Sequence, residues 1–515
     1  MPHPRTPVLV AGAQFTQRTA REGRLLESLN PIEMLAKVSR DALSDAGVNL
    51  AREIDTVAVV RFTADSMDGG RLPQRMFCNP PLSVAKHLGV TPRRAIYSLA
   101  GGNSPQWLVN RTAEDIANGE CDVALLAGAE YLATLLGAMR QSVHLGWNES
   151  KDCDPGEDPI EIGETRAGTN DYEKLYGLNF PVNAYPLFEN AIRGIKRRSP
   201  AEHLEWLGKF FSPFSKVASE NPYSWFPVHR SPEEISTPTE NNRFVGFPYT
   251  KYLNAVIEVD MAAAIVMMSV ERARALGIPE SKWVYLHGCA DASDIWNIVD
   301  RVNYHSSPAI RMIGKKAFAM AGTDVGDLDF IDLYSCFPSA VELACQELDI
   351  AEDDPRGLTI TGGLPYFGGP GNNYVMHSIV TMTERLRSHP GRYGLCTGNG
   401  WYATKHSAGI YSTAPTHGEW RRENPDSYQR ELDEMPRPRV IEKPHGKATI
   451  ETYTVIMDRK GRRFGLVVGR QENGARFLAN TPDDEATLTR MMREEMLGRE
   501  GTVTQSNATN IFRFD

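Results

Sequence analysis

Short runs of Val, Ile, Leu and Ala recur at Val8 to Ala13, Thr56 to Val60, Val123 to Gly128 and Ala262 to Met268. They are continuous rather than alternating, the pattern of strands buried on both faces. Helix-length amphipathic stretches separate them. One runs from about Pro31 to Asp45, with Asn30 as cap, Pro31 in the first turn, apolar Ile32, Met34, Leu35, Val38 and Leu43, and Gly47 as the stop. The alternation predicts an α/β architecture.

Two pairs of segments echo each other. Ala42 to Val57 and Phe318 to Ile331 share Ala-Gly, a polar residue, an aliphatic and an acid before a strand. Thr112 to Gly128 pairs in the same way with Thr383 to Gly398. The spacing predicts a duplicated βαβ-rich half-domain. Between the halves, residues 141–239 are rich in Pro, Trp, Tyr, Asn and charge and read as a long insertion with its own helices. Residues 416–439 are polar and end in alternating prolines, the composition of a linker. The last 80 residues or so alternate strictly (ATIETYTVIMD, RFGLVVGR, ARFLAN), then give a helix (DDEATLTRMMREEM) and one final strand (TVTQSNATNIFRF). They predict a small β-barrel with one helix. The expected division is 1–280 with a loop region at 141–245, then 281–416, a linker at 417–435 and the barrel at 436–515.

Composition removes several function classes. Apolar residues make up 41% of the chain and charged residues 23%, ordinary globular usage. The net charge of −9 has the wrong sign for a nucleic-acid binder. Seven scattered cysteines without a C-x-x-C predict neither a disulfide framework nor a metal site, and a cytoplasmic setting is expected. The most apolar window, Met261 to Met268, lies too close to Glu258 and Asp260 to make a membrane span.

The stretches IANGECDVALLAGAEY (116–131), PVNAYPLFE (181–189), NRFVGFPYTKYLNAVIEVDMAAAIVMMS (242–269), IDLYSCF (331–337) and GLCTGNG (394–400) are informative by their order and spacing. Together they resemble the thiolase superfamily, specifically the sterol-carrier-type branch of acetyl-CoA acetyltransferases. The resemblance covers roughly residues 7–416 and implies a five-layered αβαβα fold. The barrel resembles an oligonucleotide/oligosaccharide-binding module. A thiolase needs a thiolate nucleophile, a base and two oxyanion sites. In the family the nucleophilic Cys opens a helix; here that position is Gly102, with no Cys between Cys78 and Cys121. Nearby Ser98 and Ser104 have no local activating base, and Asn103 or Ser104 reads as the cap of the following helix.

The other motifs diverge together. Tyr334 replaces the His of His-Asp-Cys-Phe, and Gly369 replaces the His of Gly-His-Pro. Tyr334 reads either as a retained hydrogen-bond donor or as an ordinary strand-end aromatic. His377 reads as a packing residue. Cys-x-Gly survives as Cys396-Thr397-Gly398, where Cys396 is either a proton shuttle or a small buried hydrophobe. For coenzyme A phosphates, the candidates are Arg243, Lys251 and the cluster Arg193, Lys196, Arg197 and Arg198, the last also readable as a solvated helix face. Asn103 and Ser104 complete the candidate ligand-binding set.

The resemblance therefore implies a protein that binds CoA or acyl-CoA, with no tightly held cofactor, without conventional thiolase activity. Its catalytic candidates are Cys396 and Tyr334. Two alternatives stay open: a binding module that docks a protein through its C-terminal domain, and an acyltransferase using Ser104 or Cys336. Thiolases form dimers or tetramers near the nucleophile strand, so a dimer is implied, with a monomer left open by the altered Tyr97 to Gln106 segment.

Overall fold

A computed structural model of the chain describes residues 2–66, 76–147, 158–458, 461, 463–506 and 509–514. The apolar runs fold as foreseen: Pro7–Thr16, Thr56–Val59, Val123–Tyr131 and Asp260–Ser269 are strands, almost wholly buried. They belong to a ten-stranded sheet. From edge to edge its strands are Leu328–Asp332, Tyr393–Gly400, Lys405–Ser412, Val284–Ser293, Pro7–Thr16, Asp260–Ser269, Val123–Tyr131, Thr56–Val59, Arg94–Ser98 and Ile160–Ile162. The two halves of the sheet meet only where Val8 and Leu9 pair with Tyr285 and Val284.

The internal echoes are structural repeats. In both halves a helix (Pro31–Asp45, Pro308–Ala321) leads through a 3-10 turn into a strand (Thr56–Val59, Leu328–Asp332). A second helix (Ser104–Ala117, Tyr374–Ser388) then leads into Val123–Tyr131 or Tyr393–Gly400. These second helices pack on each other and on strands of both halves, which makes them the central layer. Pro31–Asp45 and Pro80–Leu88 cover the outer face of one half, and Pro308–Ala321 covers that of the other. The result is a duplicated α/β thiolase fold in five layers, αβαβα. Pro31–Asp45 starts at its expected cap, Asn30, which forms a reciprocal capping box with Glu33.

The last residues close a five-stranded barrel from Gly446–Met457, Arg463–Gln471, Arg476–Asn480, Thr509–Phe514 and Glu500–Ser506. Glu485–Arg493 is its helix, with Asp484 as cap. Three details differ from the sequence reading. The final segment is a hairpin of two strands rather than one. The polar stretch read as a linker carries the helix Pro425–Asp433, whose Tyr428 is buried and accepts a hydrogen bond from the Asp291 amide at 3.3 Å. Finally, Cys121, Cys289, Cys336, Cys345 and Cys396 are free and buried, but Cys78 is disulfide-bonded, contrary to the expectation of no bridge. Cys153 lies outside the described residues.

The barrel is set into the body by buried arginines. Fully buried Arg476 donates to the carbonyls of Val299 (2.9 Å), Arg301 and Val302 (3.3 Å) while Glu451 neutralises it at 2.6 Å. From the other side, fully buried Arg193 forms a two-pronged bond to Glu495 at 2.6 and 2.8 Å. No helix among the described residues is long and apolar enough to cross a membrane.

The strand Arg94–Ser98, which precedes the Gly102 loop, has no free edge. Ile160–Ile162 pairs with it in parallel, and Arg61 clamps Glu161 at 2.6 Å. A covered strand cannot take the same strand of a second copy as its partner. The expected outcome of sedimentation equilibrium is therefore one chain per particle across a wide range of protein concentration; a dimer whose association survives dilution would contradict this reading.

Candidate functional site

The loop Leu99–Asn103 delivers the chain from its strand to the helix Ser104–Ala117 at the seam between the two halves. It is crowded from every side. A Cβ added at Gly102 would stand 2.5 Å from the Asn399 carbonyl and inside the hydroxyl end of Tyr334. A Cβ at Gly398 would stand 2.9 Å from Cα of Asn103. Separations under 3 Å are not available to a Cβ, so the loop and the strand Tyr393–Gly400 touch only because these positions lack side chains. Tyr334 thus fills the volume that a side chain at position 102 needs.

Tyr334 is well held. Its amide donates to Thr397 Oγ1 at 2.9 Å, and its ring meets Tyr374 edge-on at 5.7 Å. Burial, with Cys336 and Tyr374 nearby, pushes its phenol well above the ordinary value, so it keeps its proton at any physiological pH. It can donate a hydrogen bond but cannot act as a base. Cys396 lies on the face of its strand that carries Gly394 and Gly398, directed at the central helices. It is fully buried, and desolvation aided by Asp332 pushes its thiol well above the usual range. Cys336 is pushed up to about 12 by burial, and Ser104 Oγ donates to the Leu99 carbonyl at 2.9 Å. Neither has the features of an activated nucleophile.

The two histidine positions are equally altered. A Cβ at Gly369 would meet the Val256 carbonyl at 3.2 Å and Ala255 Cβ at 3.3 Å, so the segment 255–256 borders the space an imidazole would use. His377 is buried, bonded through Nδ1 to Gln14 Oε1 at 3.0 Å and driven down to about 3 by desolvation. It is a neutral packing residue, as its sequence position implied.

The proposed phosphate ligands are dispersed. Arg243 donates to the carbonyls of Phe244 (2.7 Å) and Met457 (3.1 Å), joining body to barrel. Arg193 is spent on Glu495, Lys196 and Arg198 face Glu352 at 2.8 and 3.7 Å, and Arg197 is exposed. Lys251 is exposed on a 3-10 turn. Asn103 occupies the cap position of its helix without a capping bond and donates instead to Ser407 Oγ at 3.2 Å. The structure thus gathers Gly102, Asn103, Ser104, Tyr334 and Cys396 at the seam and leaves Arg243 and Lys251 elsewhere.

Sequence reasoning missed three residues of this centre. Lys405, nearly buried, donates from Nζ to the Ala100 carbonyl beside Gly101 and sits 5.9 Å from the Trp401 ring; desolvation lowers it to about 8. Asn372 accepts from the Gly101 amide at 2.9 Å, and its own amide donates to Glu130 at 3.1 Å. Glu130 is fully buried, accepts also from Thr63, and is raised to about 7 by desolvation. The available signal was a single charge at the end of a buried strand: Lys405 opens KHSAGIYS and Glu130 nearly ends VALLAGAEY. The turn before Lys405 holds Trp401 and Ala403 at φ of 58° and 50°, in the left-handed region that non-glycine residues seldom occupy. Tyr185 OH pins this turn, accepting from the Ala403 amide at 2.9 Å and from Asn399 Nδ2 at 3.1 Å.

Comparison with known proteins is consistent with this geometry. The family described as the thiolase-like protein type 1 additional C-terminal domain matches residues 427–508. A crystal structure of a monomeric SCP2-thiolase-like protein type 1 from Mycobacterium smegmatis is 37% identical, with both chains covered in full and a TM-score of 0.85. An acetyl-CoA acetyltransferase of Methanocaldococcus jannaschii is 21% identical over 64% of this chain and 75% of its own. The Ltp2-ChsH2(DUF35) aldolase shares the fold at 18% identity, covering 79% of this chain and 98% of that one, with a TM-score of 0.59.

Two outcomes follow from the packing and charge of the centre. Gly102→Ala is expected to lower the urea midpoint by the equivalent of about 1–3 kcal/mol, and the double variant with Tyr334→Ala should lose less than the sum of the two single losses. Strictly additive losses would mean that Tyr334 is not the obstacle. Glu130 titrates near 7 when folded and near 4.5 when unfolded, so its contribution to stability is full below 4.5 and disappears as pH rises through 7. Glu130→Gln should flatten that part of the stability profile, measured by urea unfolding across the window; an unchanged profile would show that another group carries it.

Proposed function

The chain belongs to the thiolase superfamily, among the SCP2-thiolase-like proteins of type 1, and from that footing we propose that it binds a CoA thioester without forming an acyl-enzyme. One observation carries the reading: the phenol of Tyr334 stands where a side chain at position 102 would have to stand. The nucleophile's place is filled by a proton donor. Cys396 and Cys336 are held as protonated thiols by burial, and Ser104 is committed to a backbone carbonyl. An acyltransferase acting through Ser104 or Cys336 therefore lacks support.

In this proposal the body of the fold receives the thioester at the seam and Tyr334 OH donates a hydrogen bond to its carbonyl oxygen, which makes that carbonyl more electrophilic and the neighbouring carbon more acidic. Cys396 is a proton donor at most. No bond between protein and acyl group forms, so any chemistry takes place on a substrate still esterified to CoA.

The test is isothermal titration of the purified chain with CoA and acetyl-CoA, run beside a thiolysis assay and intact-mass spectrometry of the same sample. Saturable binding of both ligands, no thiolysis and an unchanged mass are the expected results. Tyr334→Phe should weaken acetyl-CoA and leave CoA unchanged, because only the thioester presents a carbonyl oxygen. An acyl adduct would overturn the non-covalent reading, and absence of binding would overturn the ligand.

A further inference from the structure

The helices Pro181–Ile195, Pro200–Glu220 and Pro338–Leu348 bring together a second polar cluster, unrelated to the Gly102 loop. It consists of Glu189, His203 and Glu342, the first two with no exposed surface and the third at 2%. One donor atom from each lies within 4.8 Å of the others. His203 Nε2 is 2.5 Å from Glu189 Oε1, and the Tyr249 hydroxyl is 2.6 Å from Glu189 Oε2 and 2.8 Å from Ser339 Oγ. Glu342 is different. Both of its carboxyl oxygens are buried without a hydrogen-bond partner among the described residues.

A carboxylate left in that condition is costly, and something must neutralise it. No nearby cation bonds it: Lys196 bonds Glu352 at 2.8 Å, and Arg198 lies over the Trp206 ring at 3.9 Å and faces Glu352 at 3.7 Å, its Nη1 buried without a partner among the described residues. A proton on Glu342, shared with Glu189, would remove the charge but leave the second Glu342 oxygen unpaired. A cation supplies the charge and also coordinates the lone pairs. Two carboxylates and one imidazole are donors that suit a first-row divalent ion. Donors at tetrahedral zinc sit about 3.4 Å apart, so the three side chains need move by only around 1 Å to enclose one.

We propose that Glu189, His203 and Glu342 bind one divalent cation, zinc foremost, which fastens the inserted helices to the helix that follows Tyr334–Phe337. Tyr249 and Ser339 orient Glu189 from outside the ion. Ser339 Oγ in turn donates to the Tyr185 carbonyl at 3.4 Å, and Tyr185 is the residue that pins the turn before Lys405. The ion is structural and stands independently of the CoA reading. No sequence spacing announces it, since its ligands come from three helices.

The experiment is elemental analysis of the full chain purified without a histidine tag, with zinc, manganese and iron read in the same run. About one ion per chain is expected, resistant to EDTA in the native protein and released on unfolding. Glu342→Gln, which mimics a protonated carboxyl, and His203→Gln should each lose the ion. Wild type refolded with zinc should melt at a higher temperature than wild type refolded in EDTA. Metal content below about 0.1 per chain after refolding with each of the three ions overturns the proposal. So does an ion that persists in Glu342→Gln. Should both variants fail to fold, the wild-type metal content and the refolding comparison decide it.

Discussion

Volume exclusion at Gly102 governs the centre of this protein. The loop before the central helix and the strand Tyr393–Gly400 come from opposite halves of a duplicated body, and they approach so closely that neither Gly102 nor Gly398 has room for a methyl group. Tyr334 lies in the same gap. A change at one of these positions is felt at the others. At Gly369 the space is bordered by a different segment, residues 255–256.

Around this gap the charged groups are few and deeply set. Lys405 and Glu130 reach the Gly101 loop from two directions, the first through the Ala100 carbonyl and the second through Asn372. Desolvation moves both toward neutral pH, one downward and one upward. The titratable groups of the centre are thus a phenol, an amine and a carboxyl group. These groups act by donating or holding protons rather than by attacking carbon, which agrees with a role in binding and polarising a thioester.

Much of the architecture could be read from the chain because continuous apolar runs and caps such as Asn30/Glu33 are local signals. The repeats were legible for the same reason, since each is a helix, a turn and a strand in sequence. The helix Pro425–Asp433 was not, because its composition is that of a linker and only Tyr428 and Leu432 are buried. The final hairpin escaped because only two residues separate its strands. At the centre, the absence of a nucleophile was visible in Gly102, but its replacement was not. That Tyr334 enters the vacated volume, that Asn372 bridges to Glu130, and that Arg243 serves the barrel instead of a phosphate all depend on contacts between residues far apart in the chain.

Arg476 has a further consequence. It belongs to the barrel, yet three of its acceptors are body carbonyls, and the Arg301 that supplies one of them also donates to the Tyr402 carbonyl and Thr404 Oγ1 in the turn leading to Lys405. Removing the barrel would expose these three carbonyls and loosen the residue that braces the turn. The barrel is therefore a remote buttress of the Gly101 loop, joined to it through Arg301, the turn and Lys405.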